Sequence, residues 1–252
     1  MENKKWDLVA LASIPLIMTL GNSMLIPILP LISQQLHVSP FQVSMLITVY
    51  AIVAILLIPI AGYLSDRFGR KAVIIPSLII AAAGGAVSGA GAWWTDGSTA
   101  YWIILGGRFL QGIGAAGAFP IVLPLVGDMF DDEKDISKSL GIIETSNTFG
   151  KVISPILGAA LASVLWYLPF LSIPILCIIS LVMVIFFVKS PSKSSSSKTS
   201  IKQFLTSTRD VMRKKGRWLY AIFAVGASAC LFYLEYCSIC QRHWRASTVC
   251  ME

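Results

Sequence analysis

The sequence predicts an all-α polytopic membrane protein, and three observations carry that prediction. Hydrophobic residues make up 56% of the chain and charged residues only 13%, whereas soluble domains carry roughly 25% charged residues. Several apolar runs are long enough to span, because about 20 residues rising ~1.5 Å each cross the ~30 Å hydrocarbon core. Lysine and arginine gather in alternate loops, the pattern that orients a chain in a membrane. The formal net charge of +7 is therefore topological. No basic patch interleaved with aromatics accompanies it, which excludes nucleic acid as a partner.

The first span is read over 8–32. Lys4 and Lys5 precede it as they would a secretory signal, but the run continues through Leu31 without a small-residue cleavage site. A retained helix is expected. Pro27 and Pro30 should kink it near its outer end, leaving freed carbonyls for neighbours to satisfy. Further spans follow at 42–63, 72–93, 101–127, 138–165 and 168–188, with a seventh candidate near 217–236. The loops MENKK, SDRFGRK, DMFDDEKDISK and 189–217 fall on one side and hold nearly every loop lysine and arginine. SQQLHVSP, GAWWTDGSTAY and WYLP fall on the other and hold none. This asymmetry places the N-terminus in the cytoplasm. Trp93, Trp94, Tyr101 and Trp102 suit an outer interfacial belt. AAAGGAVSGAGA (81–92) and GGRFLQGIGAAGAF (106–119) are rich in small residues, which let membrane helices approach closely.

The domain plan is a six-helix unit over 1–188, a basic, serine-rich cytoplasmic linker over 189–216, and a seventh helix with a cysteine-rich tail over 217–252. The start of the linker is low-complexity and cannot bury enough surface to fold. Ile201, Phe204, Leu205, Thr208, Val211 and Met212 then recur at helical spacing, consistent with a short amphipathic helix. Its basic end, RKKGR, could touch anionic headgroups or simply be a solvated connector. Four of the five cysteines fall between 230 and 252. Cys237 and Cys240 have zinc-ligand spacing, with His243 and Cys250 nearby. They continue directly out of an apolar helix, so no metal is expected. Arg242 and Arg245 would lie outside, against the charge bias. A premature end, as after a frameshift, is the expected explanation.

The stretch GYLSDRFGRKAVII (62–75) holds more than a topogenic turn needs. An acid, Asp66, precedes bases at helical distance, and glycines permit a tight turn. Gly62, Leu64, Asp66, Arg67, Gly69, Arg70 and Lys71 resemble the G-x-L-x-D-R-x-G-R-K signature of the major facilitator superfamily, matching at every specified position. The resemblance implies a loop that touches the opposite half of a transporter and helps hold one access state closed. Asp66 would face the positive end of a helix there, and Arg70 would pair with Asp128 at the cytoplasmic end of the fourth helix. The plain alternative is a positive-inside turn with no switching role.

Three further stretches support the resemblance. LGNSMLIPILP (20–30) looks like the L-G-x5-P-x-x-P pattern of the twelve-helix drug/proton antiporter branch. RFLQGIGAA (108–116) looks like that family's R-x-x-Q-G-x-G-A-A motif. A charge such as Arg108 within hydrocarbon is costly unless it faces a partner or an aqueous cavity, or snorkels to the surface. The resemblance implies that Arg108 couples proton movement to transport, with Gln111 beside the same cavity. GKVISPILGA (150–159) looks like the antiporter motif G-x-x-x-G-P-x-x-G-G. Gly150, Pro155 and Gly158 match, while Ser154 and Ala159 replace glycines. In the family this helix bend seals the pathway against leak.

Glu144, Asn147 and Lys151 share one face of the same helix. A self-neutralising Glu–Lys pair and a proton or substrate role are both open. No acid follows Asp7 in the first helix, and Glu235 is a weaker proton-carrier candidate. Taken together, the resemblance implies the N-terminal half of a major facilitator fold plus a partial seventh helix. It implies proton-coupled efflux of small amphipathic or cationic drugs across a bacterial plasma membrane. The implied partners are the substrate, protons and membrane lipid. No cofactor is implied, and the oligomeric state is left open. The rivals are a non-transporting fragment, a solute importer of the same superfamily, against which 150–159 argues, and a membrane enzyme. An enzyme would need a clustered nucleophile or metal set within the spans, which the sequence lacks.

Overall fold

The computed structural model describes residues 2–130 and 132–188, with backbone alone for 2–5. The linker, its amphipathic segment, the seventh helix, Glu235 and the cysteine-rich tail lie outside the described residues. Seven helices are described: α1 (Glu2–Ser23), α2 (Leu29–Leu36), α3 (Pro40–Phe68), α4 (Arg70–Trp94), α5 (Gly97–Met129), α6 (Glu133–Val164) and α7 (Leu168–Phe187).

The expected continuous first span is broken. α1 stops at Ser23, five residues form turns, and α2 begins at Leu29. Pro27 supplies no backbone donor and disfavours helical backbone at Ile26. Pro30 falls in the first turn of α2, where no donor is needed. The prolines therefore sever the helix rather than bend it. His37 ends α2 in the left-handed conformation, at φ 52°. Two residues later Ser39 opens α3 with a reciprocal capping box: its Oγ accepts from Gln42 N at 3.3 Å while Gln42 Oε1 accepts from Ser39 N at 2.9 Å.

The charged turn also differs from expectation. α3 runs on to Phe68 and α4 starts at Arg70, so Gly69 alone separates two helices. Asp66 and Arg67 are helical residues on the last turn of α3. By length and composition α1 from Trp6, α3, α4, α5 and α7 are able to cross a membrane. α6 is 32 residues long but carries Glu144 and Lys151 and does not reach that apolarity. The fifth span expected over 138–165 is thus a long helix with a polar side.

α5 is the hub. It packs on α4 and α3; α4 also packs on α7, and α1 lies against α6 and α7. Small residues decide the closest approach. A Cβ on Gly84 would come within 2.6 Å of Gly107 O, and a Cβ on Gly107 within 2.6 Å of Gly84 O. Backbone meets backbone there, and only glycine at both positions permits it. Buried apolar side chains form three groups along the bundle. Leu11, Ile74, Leu125 and Val184 belong to the one at the hairpin end. Ile17, Met24, Ile173 and Cys177 lie in a smaller one, and Leu25, Leu46, Ile104 and Phe170 in the third, which includes α2. Trp93, Trp94 and Trp102 are exposed at the junction of α4 and α5, as the interfacial belt requires. Tyr101 is not part of that belt, because it turns inward and is only 4% exposed.

Candidate functional site

Arg108 occupies the twelfth position of α5, roughly 16 Å along the helix from its start, and is 1% exposed. It does not snorkel. Its Nε donates to Leu46 O at 3.1 Å, Nη1 to Gln111 Oε1 at 2.5 Å, and Nη2 to Asn22 Oδ1 at 2.5 Å. The guanidinium also lies 4.6 Å from the ring centroid of Tyr50, a favourable cation–π placement. Three elements meet here: α1 brings Asn22, α3 brings Leu46 and Tyr50, and α5 brings Arg108 and Gln111. Every one of these partners is neutral. A cavity of about 20 Å³ opens between them, bounded also by Gly21 and Cys177.

One helical turn from Asn22, Thr19 Oγ1 donates to Asn147 Oδ1 at 2.5 Å, and Asn147 Nδ2 donates to Glu144 Oε1 at 3.0 Å. Residues three apart share a helix face, so a polar strip on α1 leads from the Arg108 cluster to α6. Glu144 and Lys151 are exposed and form no ion pair with each other among the described residues. The carboxylate is held by Asn147 instead of by the lysine. Asn147 is itself 5% exposed, and it buries this contact against α1.

Gly150, Ser154 and Gly158, each four residues apart, form the stripe of α6 that receives α1. A Cβ on Gly150 would lie 3.0 Å from Leu16 O, and one on Gly158 would strike Met24 O. Ser154 is fully buried, with its Oγ donating to Lys151 O at 3.2 Å. Pro155 and Ala159 are exposed, and α6 continues through Pro155 as one helix. Met24 is the first residue after α1 ends, so Gly158 sits where the first span breaks.

At the opposite end, Arg70 Nε reaches Asp128 Oδ2 at 2.5 Å, and its Nη1 lies 3.3 Å from Asp66 Oδ1. Nη1 also donates to Ser65 Oγ at 3.4 Å. Lys71 Nζ donates to Val188 O at 2.5 Å and to Ile185 O at 3.2 Å, so it caps the carbonyl end of α7, where a cation is favoured. Arg67 lies over the Phe68 ring at 5.4 Å. The hairpin thus ties α3, α4, α5 and α7 together. Asn22, Thr19, Tyr50 and Ser65 were not singled out by the sequence reading. A polar residue inside an apolar run was the only available signal for the first two.

Apolar helices of spanning length, packed through glycines around a buried polar centre, define an all-helical polytopic membrane protein. Residues 11–240 match the Major Facilitator Superfamily, and the chain belongs to that family. It is 51% identical over 237 residues to the bacillibactin exporter of Bacillus subtilis (strain 168), covering 91% of this chain and 58% of that protein. It is 29% identical to multidrug resistance protein 1 of the same organism, over 79% of this chain and 49% of the relative. It is 28% identical to the class C tetracycline resistance protein of Escherichia coli, over 73% and 45%. The chain spans about half the length of the curated relatives it matches.

Proposed function

We propose that this chain provides the N-terminal six-helix half (1–188) of a proton-coupled exporter of small organic molecules. It would lie in a bacterial plasma membrane with its N-terminus in the cytoplasm. Residues 189–216 serve as the linker, and 217–252 carry the seventh helix and the cysteine-rich tail. The observation that carries the reading is Arg108. A guanidinium buried in the centre of a membrane bundle is expensive, and such residues mark substrate or ion pathways. Export, rather than uptake, is favoured by the likeness to relatives named as an exporter and as resistance proteins.

In this reading the hairpin of Asp66, Arg67, Gly69, Arg70 and Lys71, with Asp128, is a latch on the cytoplasmic face. Gly62 leaves room on its outer side. Arg108 and Gln111 couple proton movement to transport, and Glu144, Asn147 and Lys151 line the route. The α6 stripe of Gly150, Ser154 and Gly158, with Pro155, keeps α1 sealed against it. Efflux from proteoliposomes under an imposed proton gradient tests this, with ethidium and bacillibactin as cargo. Gradient-dependent export should vanish with a protonophore and fall at least tenfold in Asp66→Asn. Accumulation of cargo in place of export would point to an importer, and no gradient-dependent flux would overturn the transport reading.

A further inference from the structure

Among the described residues no acidic group pairs with Arg108. The two ion pairs among the described residues both belong to Arg70, at the cytoplasmic hairpin. A guanidinium has five N–H groups and no acceptor, and Arg108 directs three of them at Leu46, Gln111 and Asn22. Because it can only donate, it fixes both amides: Gln111 and Asn22 must turn their oxygens toward it. What each amide has left is its NH2 group. Gln111 Nε2 is buried and has no partner among the described residues, which is costly for a donor in a dry interior. Gln111 is 3% exposed and lines the cavity.

The cavity is therefore a small chamber in which Arg108, Asn22 and Gln111 face an otherwise apolar wall that includes Ile17, Met18 and Ile173. At about 20 Å³ it has room for one water-sized group. A water would satisfy Gln111 Nε2 but leave the charge unbalanced. A cationic group would be repelled at this range. We propose that the chamber receives an oxyanion of the cargo. One carboxylate or phenolate oxygen enters it, accepts from Gln111 Nε2 and a free N–H of Arg108, and neutralises the guanidinium. The inference rests on the transport reading and gives its cargo a negative charge, in place of the cationic drugs that the sequence resemblance implied.

The test uses the purified 252-residue chain in detergent, titrated with benzoate, benzyl alcohol and benzylammonium, which share a ring and differ in charge. Binding is read by calorimetry and by the shift in unfolding temperature. Benzoate should bind at least tenfold more tightly than the alcohol, and benzylammonium not measurably. Arg108→Gln should abolish the preference. Gln111→Glu supplies an internal counter-ion, so it should unfold at a higher temperature and block benzoate. This variant keeps the test decisive if Arg108→Gln does not fold. Equal binding of all three ligands, as for a chamber that holds only water, would overturn the inference. So would chloride matching benzoate in Arg108-dependent binding, since the site would then take free inorganic anions. Binding needs no gradient, so intact benzoate selectivity without efflux removes the transport reading alone. Efflux with charge-blind binding removes this inference alone.

Discussion

Two glycines of the charged hairpin face opposite demands. Gly69 has φ 97° and ψ 146°, a region essentially confined to glycine, and it is the whole connection between α3 and α4. Gly62 lies inside α3, and a Cβ there would meet nothing within 4 Å. Alanine at 69 should destabilise the unit by about 1–3 kcal/mol, the usual cost of a strained backbone. Alanine at 62 should stabilise it by about 0.5–1 kcal/mol, because glycine in a helix interior carries that penalty. Thermal unfolding of the two purified variants in detergent separates the cases, and shifts of the same sign would contradict this account. In the sequence both glycines simply match the hairpin pattern. Only backbone geometry tells the conformational one from the one whose small size this unit does not use.

Between elements, α1 and α6 are held by complementary small surfaces plus one polar link. Gly150, Ser154 and Gly158 let the α1 backbone approach, and Thr19–Asn147–Glu144 fixes the register. Hydrogen bonds between membrane helices are worth roughly 0.6 kcal/mol on average and at most about 1.7. A double-mutant cycle of Thr19→Val and Asn147→Leu should therefore return a coupling of about 0.5–1.5 kcal/mol. The corresponding cycle of Glu144→Gln and Lys151→Gln should return close to zero, because those side chains are not paired. A large Glu144–Lys151 coupling would restore the self-neutralising pair considered from the sequence. The shared face of 144, 147 and 151 was legible as a spacing of three and four. Which of its members joined to another helix was not, because periodicity says nothing about what stands opposite.

For the molecule as a whole, the charge asymmetry of the loops translates into two ends. Asp96, exposed between α4 and α5, and Arg67, exposed on the hairpin, should lie on opposite faces of the membrane. In a cysteine-free background, a membrane-impermeant maleimide should label Asp96→Cys on intact cells and Arg67→Cys only after permeabilisation. The reverse pattern would invert the orientation. The hairpin end is clamped by the Arg70–Asp128 pair and the Lys71 cap on α7. The other end holds the break in the first span and exposed tryptophans.

Composition, run length and loop charge determined by themselves that the chain is a helical membrane protein and where most of its helices lie. Those properties are local, since apolar length and the position of lysine act on each segment without reference to the others. The hairpin was legible as a motif, and its resemblance to a family signature implied the Asp128 partner that the structure places beside Arg70. The extent of the break in the first span, the inward turn of Tyr101 and the company of Arg108 were decided by tertiary structure alone. Arg108 meets Asn22 from 86 residues away, and Thr19 meets Asn147 from 128 away. Contacts at such separations depend on how closely whole helices approach, and that distance is set by the glycines of α4, α5 and α6 acting together.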